Sequence, residues 1–173
     1  MKTITVNLYE FSELSEEGKQ QAIEKLSDIN VSYDWWQFTY EDSENIGLKI
    51  TGFGLDRDRH ADGKFTLSAA EVAANIIRDH GEMCETFKTA QTFLNEFNPV
   101  FANYLDERHK DYESSESEQT MLDMEDQFLT SLLEDYSIML QQEYEYQTSE
   151  EAIIETIEAN GYTFEANGTL NNG

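Results

Sequence analysis

No lysine or arginine follows Lys110, although the chain from Asp111 onward holds sixteen Asp and Glu residues. Helices built from such a segment cannot neutralise their own acids by pairing one turn apart. Their charged sides must therefore face water or something basic. Over the whole chain 11 Lys and Arg stand against 36 Asp and Glu, a net charge of −25. Residues 1–100 carry −9 of this and residues 101–173 carry −16. With 39% hydrophobic and 12% aromatic residues, the chain still has the material for a core, so the signature of full disorder is absent. Such a field repels nucleic acid and anionic lipid and attracts basic surfaces. No apolar run approaches about 18 residues, which predicts no membrane span. Met1–Ile4 leads directly into alternating residues without an apolar leader, so no signal peptide is expected. A single cysteine, Cys84, cannot form an internal disulfide and suits a reducing, cytoplasmic setting.

At 173 residues the expectation is one domain over 1–173, with a strand, helix and hairpin part at 1–67 and a mainly helical, acidic part at 68–173. Ile4, Val6 and Leu8 alternate as a half-buried strand, and Ser12 or Ser15 caps a helix with Ala22, Ile23, Leu26 and Ile29 inward. Asp28–Asn30 reads as its frayed end. A second helix is expected over Tyr33–Ile46, capped by Ser32 and closed by Gly47. Leu48–Leu55 and Lys64–Leu67 predict a hairpin around a polar loop at 56–63, with Gly52 and Gly54 suited to a bulge. Ser68–Glu71 is a capping box that opens a helix ending at Gly81. Helical spacing from Phe87 to Leu105 contains Pro99, which either kinks one helix or starts another. Asp111–Glu118 reads as a loop, followed by a long helix over about 118–146 with Leu122, Leu129, Leu132, Leu133, Tyr136, Met139 and Leu140 inward. Thr148 and Glu151 form a second capping box, and Tyr162–Glu165 a short strand before a turn at Asn167–Gly168. The sum is a helix-rich α+β fold: a small antiparallel sheet packed with a helical bundle that includes one long acidic C-terminal helix.

Chemistry-bearing motifs are few. Asp58-x-His60-x-Asp62-Gly63 resembles part of a calcium loop, but position twelve is Ala69 where a bidentate carboxylate is required. Asp56, Asp58, His60 and Asp62 are thus the metal candidates, the basis of an alternative metal-binding or hydrolase reading, although turn chemistry alone accounts for Asp and Gly at a hairpin tip. His80-x-Glu82 lacks the paired cysteines of a zinc deaminase and reads as a helix end. No phosphate-binding glycine loop or nucleophile triad is present, so no enzyme, no catalytic residue and no cofactor is expected. Trp35 and Trp36 point roughly 100° apart on a helix, which places one in the core and one at its rim.

The acids are the remaining signal. Glu116, Glu118, Asp123, Glu125, Asp126, Glu134, Asp135, Glu143 and Glu145 crowd one helix without a basic partner in sequence, and Glu41, Asp42 and Glu44 form a smaller group. Like charges one turn apart cost a few tenths of a kcal/mol each, which suggests that the field is used. Carboxylates on neighbouring turns stand about 5–6 Å apart, near the spacing of backbone phosphates. These twelve residues are the expected partner-binding face.

Leu14-Ser15-Glu16-Glu17, Tyr33-Asp34-Trp35-Trp36 with Tyr40-Glu41-Asp42, Glu134-Asp135-Tyr136-Ser137 with Glu143–Tyr146, and Ile157–Asn160 before a strand resemble a family of small acidic proteins of phages and mobile elements. That resemblance implies a phage or plasmid setting and carries no residue roles. In charge and size the chain is also similar to DNA-mimic antirestriction and anti-CRISPR proteins. The function expected is an acidic inhibitor in the host bacterial cytoplasm, blocking the basic groove of a nucleic-acid-binding protein or ribonucleoprotein of host defence. The alternative is an antitoxin that neutralises a basic toxin. Direct nucleic-acid and membrane binding are not expected, and the choice between monomer and homodimer is left open.

Overall fold

A computed structural model of the chain describes residues 7–108 and 115–171. The fold is α+β. In chain order the elements are β1 (Tyr9–Glu10), α1 (Glu16–Lys25), α2 (Gln37–Ile46), β2 (Leu48–Gly54), β3 (His60–Phe65), α3 (Ala69–Asp79), α4 (Glu85–Arg108), α5 (Ser115–Gln147), α6 (Glu150–Ala159) and β4 (Thr163–Phe164). The strands form two separate antiparallel pairs, β1–β4 and β2–β3, in place of one sheet. The residues gather into two compact units: 1–35 with 142–173, and 36–141.

In the first unit, Ser15 caps α1 by accepting from the Gly18 amide, with Glu16 and Glu17 in the first turn where the helix dipole favours acids. Phe11, Leu14, Ala22, Ile153, Ile157 and Phe164 make its core. The strand expected on Ile4, Val6 and Leu8 lies largely outside the described residues. Pairing here begins at Tyr9, opposite Phe164, and Leu8 is exposed. Asn30 is not a frayed end. It is buried, donates to the Gln147 carbonyl at 3.1 Å and accepts from the Thr156 hydroxyl at 2.7 Å. The cap of α6 is Ser149, which accepts from the Ala152 amide. Thr148 is unavailable, because its hydroxyl donates to the Tyr144 carbonyl inside the preceding helix.

The second unit has the larger core, with Ile46, Leu48, Val72, Ile76, Phe93, Phe128, Leu132 and Tyr136 buried together. Here α2 begins at Gln37, four residues later than expected. Ser32 does not cap it, since its hydroxyl closes the previous turn on the Ile29 carbonyl. Gly47 ends α2 in the left-handed conformation. The hairpin is present, and its ladder runs from Leu48↔Phe65 to Gly54↔His60. A register shift between Ile50 and Gly52 bulges the strand, as the glycines suggested. His60–Gly63 are therefore strand residues and not loop. Ser68 and Glu71 form the expected reciprocal cap of α3. Pro99 lies inside one continuous α4. The loop expected at 111–118 lies partly outside the described residues, but Glu116–Glu118 belong to α5. That helix is followed by α6 and β4. Trp35 is buried and Trp36 half-buried, the split expected, although both precede the helix and helical geometry is not its cause.

Candidate functional site

At roughly 100° per residue, Glu116, Asp123 and Glu134 fall within about 20° of one another on α5, with Asp126 about 60° from Asp123. All four are exposed. Glu118 and Glu125 project from roughly the opposite side of the helix. The α5 acids therefore do not form one face. Successive members of the exposed row, 116, 123 and 134, are about 10 and 16 Å apart along the axis, well beyond phosphate spacing. Only Asp123 and Asp126 stand one turn apart.

Several candidates are engaged within the fold. Glu134 pairs with Arg59 of the hairpin turn, so the helix does have one basic partner, brought from 75 residues away. Asp135 accepts from the Thr89 hydroxyl of α4 at 2.7 Å. Its carboxyl is raised above the usual aspartate range, first by burial and then by Glu85 and Glu134, against the Thr89 hydrogen bond. Glu125 is raised by burial as well. Glu143 accepts from Gln147, Asp123 from Gln119 and Glu41 from Gln37. Glu44 and Glu145 are exposed. Among the described residues, Glu116, Glu118, Asp123, Glu125 and Asp126 form no ion pair.

Because the ionised form of Asp135 is disfavoured in the folded state, the stability it contributes falls as pH rises from the ordinary aspartate value, about 4, through its raised value. Asp135→Asn keeps an acceptor for Thr89 and removes the charge. It is expected to raise stability at pH 7 by on the order of 0.5 kcal/mol, discounted for partial exposure. The gain should vanish below about pH 3.5, and thermal melts at the two pH values check it.

Asp42 turns inward from α2 to a network that sequence reasoning missed. Tyr136, buried on α5, donates its hydroxyl to Asp42 Oδ2 at 2.7 Å. His80, at the end of α3, places Nε2 3.5 Å from Asp42 Oδ1 and Nδ1 2.7 Å from the hydroxyl of buried Thr86. All groups are satisfied with the His80 proton on Nε2 and the Thr86 hydroxyl donating to Nδ1. His80 chiefly, and Tyr136, hold the Asp42 carboxyl below the usual range against burial. Burial chiefly, and Asp42, raise the Tyr136 phenol. The one signal in sequence was a tyrosine at a core position, which when buried needs a partner for its hydroxyl.

The 56–62 candidates do not converge. His60 Nδ1 lies 2.6 Å from the Asp58 carbonyl, and its Nε2 is 3.8 Å from Asp62. Among the described residues, no three His, Cys, Asp or Glu side chains are placed to hold a metal ion. An open cleft between α4 and α5 has Phe93 and Phe128 on its floor and Lys88, Thr92, Glu96, Gln127 and Ser131 at its rim.

The acid excess is shared by both units. Residues 1–35 with 142–173 carry three basic and fourteen acidic residues, and 36–141 carry eight and twenty-two, giving −11 and −14. No helix among the described residues is long and apolar enough to cross a membrane. The chain matches no known family model, no curated protein and no solved structure.

Proposed function

We propose that the protein is a non-enzymatic acidic inhibitor of phage or plasmid type that docks on the basic, nucleic-acid-binding surface of a host defence protein. The observation that carries this reading is a division of labour among the acids. Asp42, Glu134 and Asp135 are tied into the fold, whereas Glu116, Asp123 and Asp126 are exposed and form no ion pair among the described residues. The second set has no cation to neutralise it within the described fold, and its repulsion is relieved against a cationic partner. The spacing along α5 favours attraction by field over a phosphate-by-phosphate copy. Such attraction steers association and weakens with salt.

The test is capture of partners from a bacterial lysate by the full chain, at low and high salt and with duplex DNA as competitor. A basic nucleic-acid-binding protein is expected, released by DNA and by salt. Glu116→Lys, Asp123→Lys and Asp126→Lys together should weaken that binding at least tenfold, about 1.4 kcal/mol, while thermal melts remain cooperative and show that the fold survives. Binding that survives the triple reversal would exclude this face of α5 as the docking surface.

A further inference from the structure

In the second unit, Phe128, Phe93, Phe97 and Phe101 form a stacked row with centroid separations of 4.3, 4.9 and 5.9 Å. Three of them are at most 6% exposed, but Phe101 is 42% exposed. The core face of α4 thus continues into solvent, where Leu105 follows at 44%. Thr89 meets Asp135 and Phe93 meets Phe128, an antiparallel register of α4 on α5. Continued along the pair, it sets Phe101 opposite residues 120–123 and Leu105 opposite 116–119. Leu122, expected in the core from its spacing, is 54% exposed. Three large apolar side chains therefore lie uncovered at one end of the α4–α5 pair. Glu118 and Glu125 lie on the Leu122 side of α5, since 118, 122, 125 and 129 share one helical stripe.

Alternating apolar and acidic groups narrow the occupant. A second copy related by symmetry would bring Glu118 and Glu125 against like charges on a chain that already carries −25. Nucleic acid and anionic lipid are repelled outright. A cationic amphipathic helix satisfies both components, with apolar residues at three- and four-residue spacing on Phe101, Leu105 and Leu122 and lysine or arginine on the acids.

We infer that this end of the α4–α5 pair is a docking site for a basic amphipathic helix of the partner protein, anchored by Phe101, Leu105 and Leu122. The inference rests on the basic-partner reading above and adds a second contact for that partner, on the side of α5 opposite Glu116, Asp123 and Asp126. Apolar anchors with a charged rim are the usual anatomy of such grooves, and they make binding depend on pattern as well as on charge.

The probe is a labelled 18-residue Leu/Lys peptide with leucines at helical spacing, compared by fluorescence anisotropy with a scrambled peptide of the same composition. The full chain should bind the patterned peptide at least tenfold more tightly than the scrambled one. Phe101→Ser, Leu105→Ser and Leu122→Ser together should bring that ratio to about one and leave scrambled-peptide binding unchanged. Leu122→Ser alone, the mildest change, should lower the ratio at least threefold, and it serves if the triple variant melts early. A ratio near one for the unaltered chain, or a ratio that survives the triple substitution, overturns the inference. So does a sedimentation result in which the unaltered chain dimerises and the triple variant does not, because the occupant is then a second copy. Failure to bind even the scrambled peptide at low salt would sink the basic-partner reading itself, which keeps the two failures distinguishable.

Discussion

Tyr136→Ala is expected to destabilise the 36–141 unit by about 4 kcal/mol, whereas Tyr136→Phe costs about 1 kcal/mol. The ring is fully buried beside Leu132 and Ile76, so truncation leaves a large cavity in the core. The phenylalanine variant keeps that packing and gives up the hydrogen bond to Asp42. Asp42→Ala should fall between the two, at about 2 kcal/mol, because it leaves a buried hydroxyl without its carboxylate and His80 without its acceptor. Urea titration of the three variants measures the series. Equal costs for Tyr136→Phe and Asp42→Ala would mean that water replaces the carboxylate freely. The pH dependence has a defined sign. The folded-state value of Asp42 is lowered, so its contribution is complete above the ordinary aspartate value, about 4, and is lost as pH falls through the lowered value. The Asp42→Ala difference should therefore shrink on acidification, the reverse of the Asp135→Asn gain, which appears only as pH rises.

These opposite signs show what one-dimensional reading could supply. Features decided within a few residues were legible: the Ser15 and Ser68 caps, the Gly47 terminus and the hairpin with its bulge. Each depends on a side chain and a backbone group at most four positions away, or on alternation along one strand. Errors arose where two local uses of one hydroxyl compete. Ser32 and Thr148 both bond backward to a preceding carbonyl, so neither serves the next helix. Helical periodicity marked Leu122 as inward but could not tell how far the covering layer extends along α5. The candidate site suffered most, because acids close in sequence separate by contacts from afar. Asp42 meets a tyrosine 94 positions away, Glu134 an arginine 75 away, and Asp135 a threonine 46 away. Bulk charge announced an acidic protein, and only the tertiary partners divide acids that hold the fold from acids left facing solvent.

Gly168→Ala is expected to cost on the order of 4 kcal/mol in the unit formed by 1–35 and 142–173. Two effects add. Gly168 has φ +72°, where an L side chain costs about 1–2 kcal/mol. A Cβ there would also lie 2.3 Å from the Gly18 carbonyl oxygen and 2.7 Å from the Ala22 amide nitrogen. Both are backbone atoms of α1, so relief requires the helix to move off the segment after β4. That movement would disturb Ala22, which is fully buried beside Ile153 and Phe164, and such overpacking costs about 1–3 kcal/mol. Gly161→Ala supplies the control. Its φ is +61°, nearly the same backbone state, yet nothing lies within 4 Å of the added carbon. It should therefore show the conformational penalty alone, about 1 kcal/mol. Urea titrations followed at the Phe164 side of the unit, for instance by amide exchange of Thr163 and Phe164, read the difference directly. If the two substitutions cost the same, the close approach of the Gly168 segment to α1 is not a constraint on the fold. The expected gap of about 3 kcal/mol would instead show that a turn legible as Asn167–Gly168 in sequence is held there chiefly by what it touches.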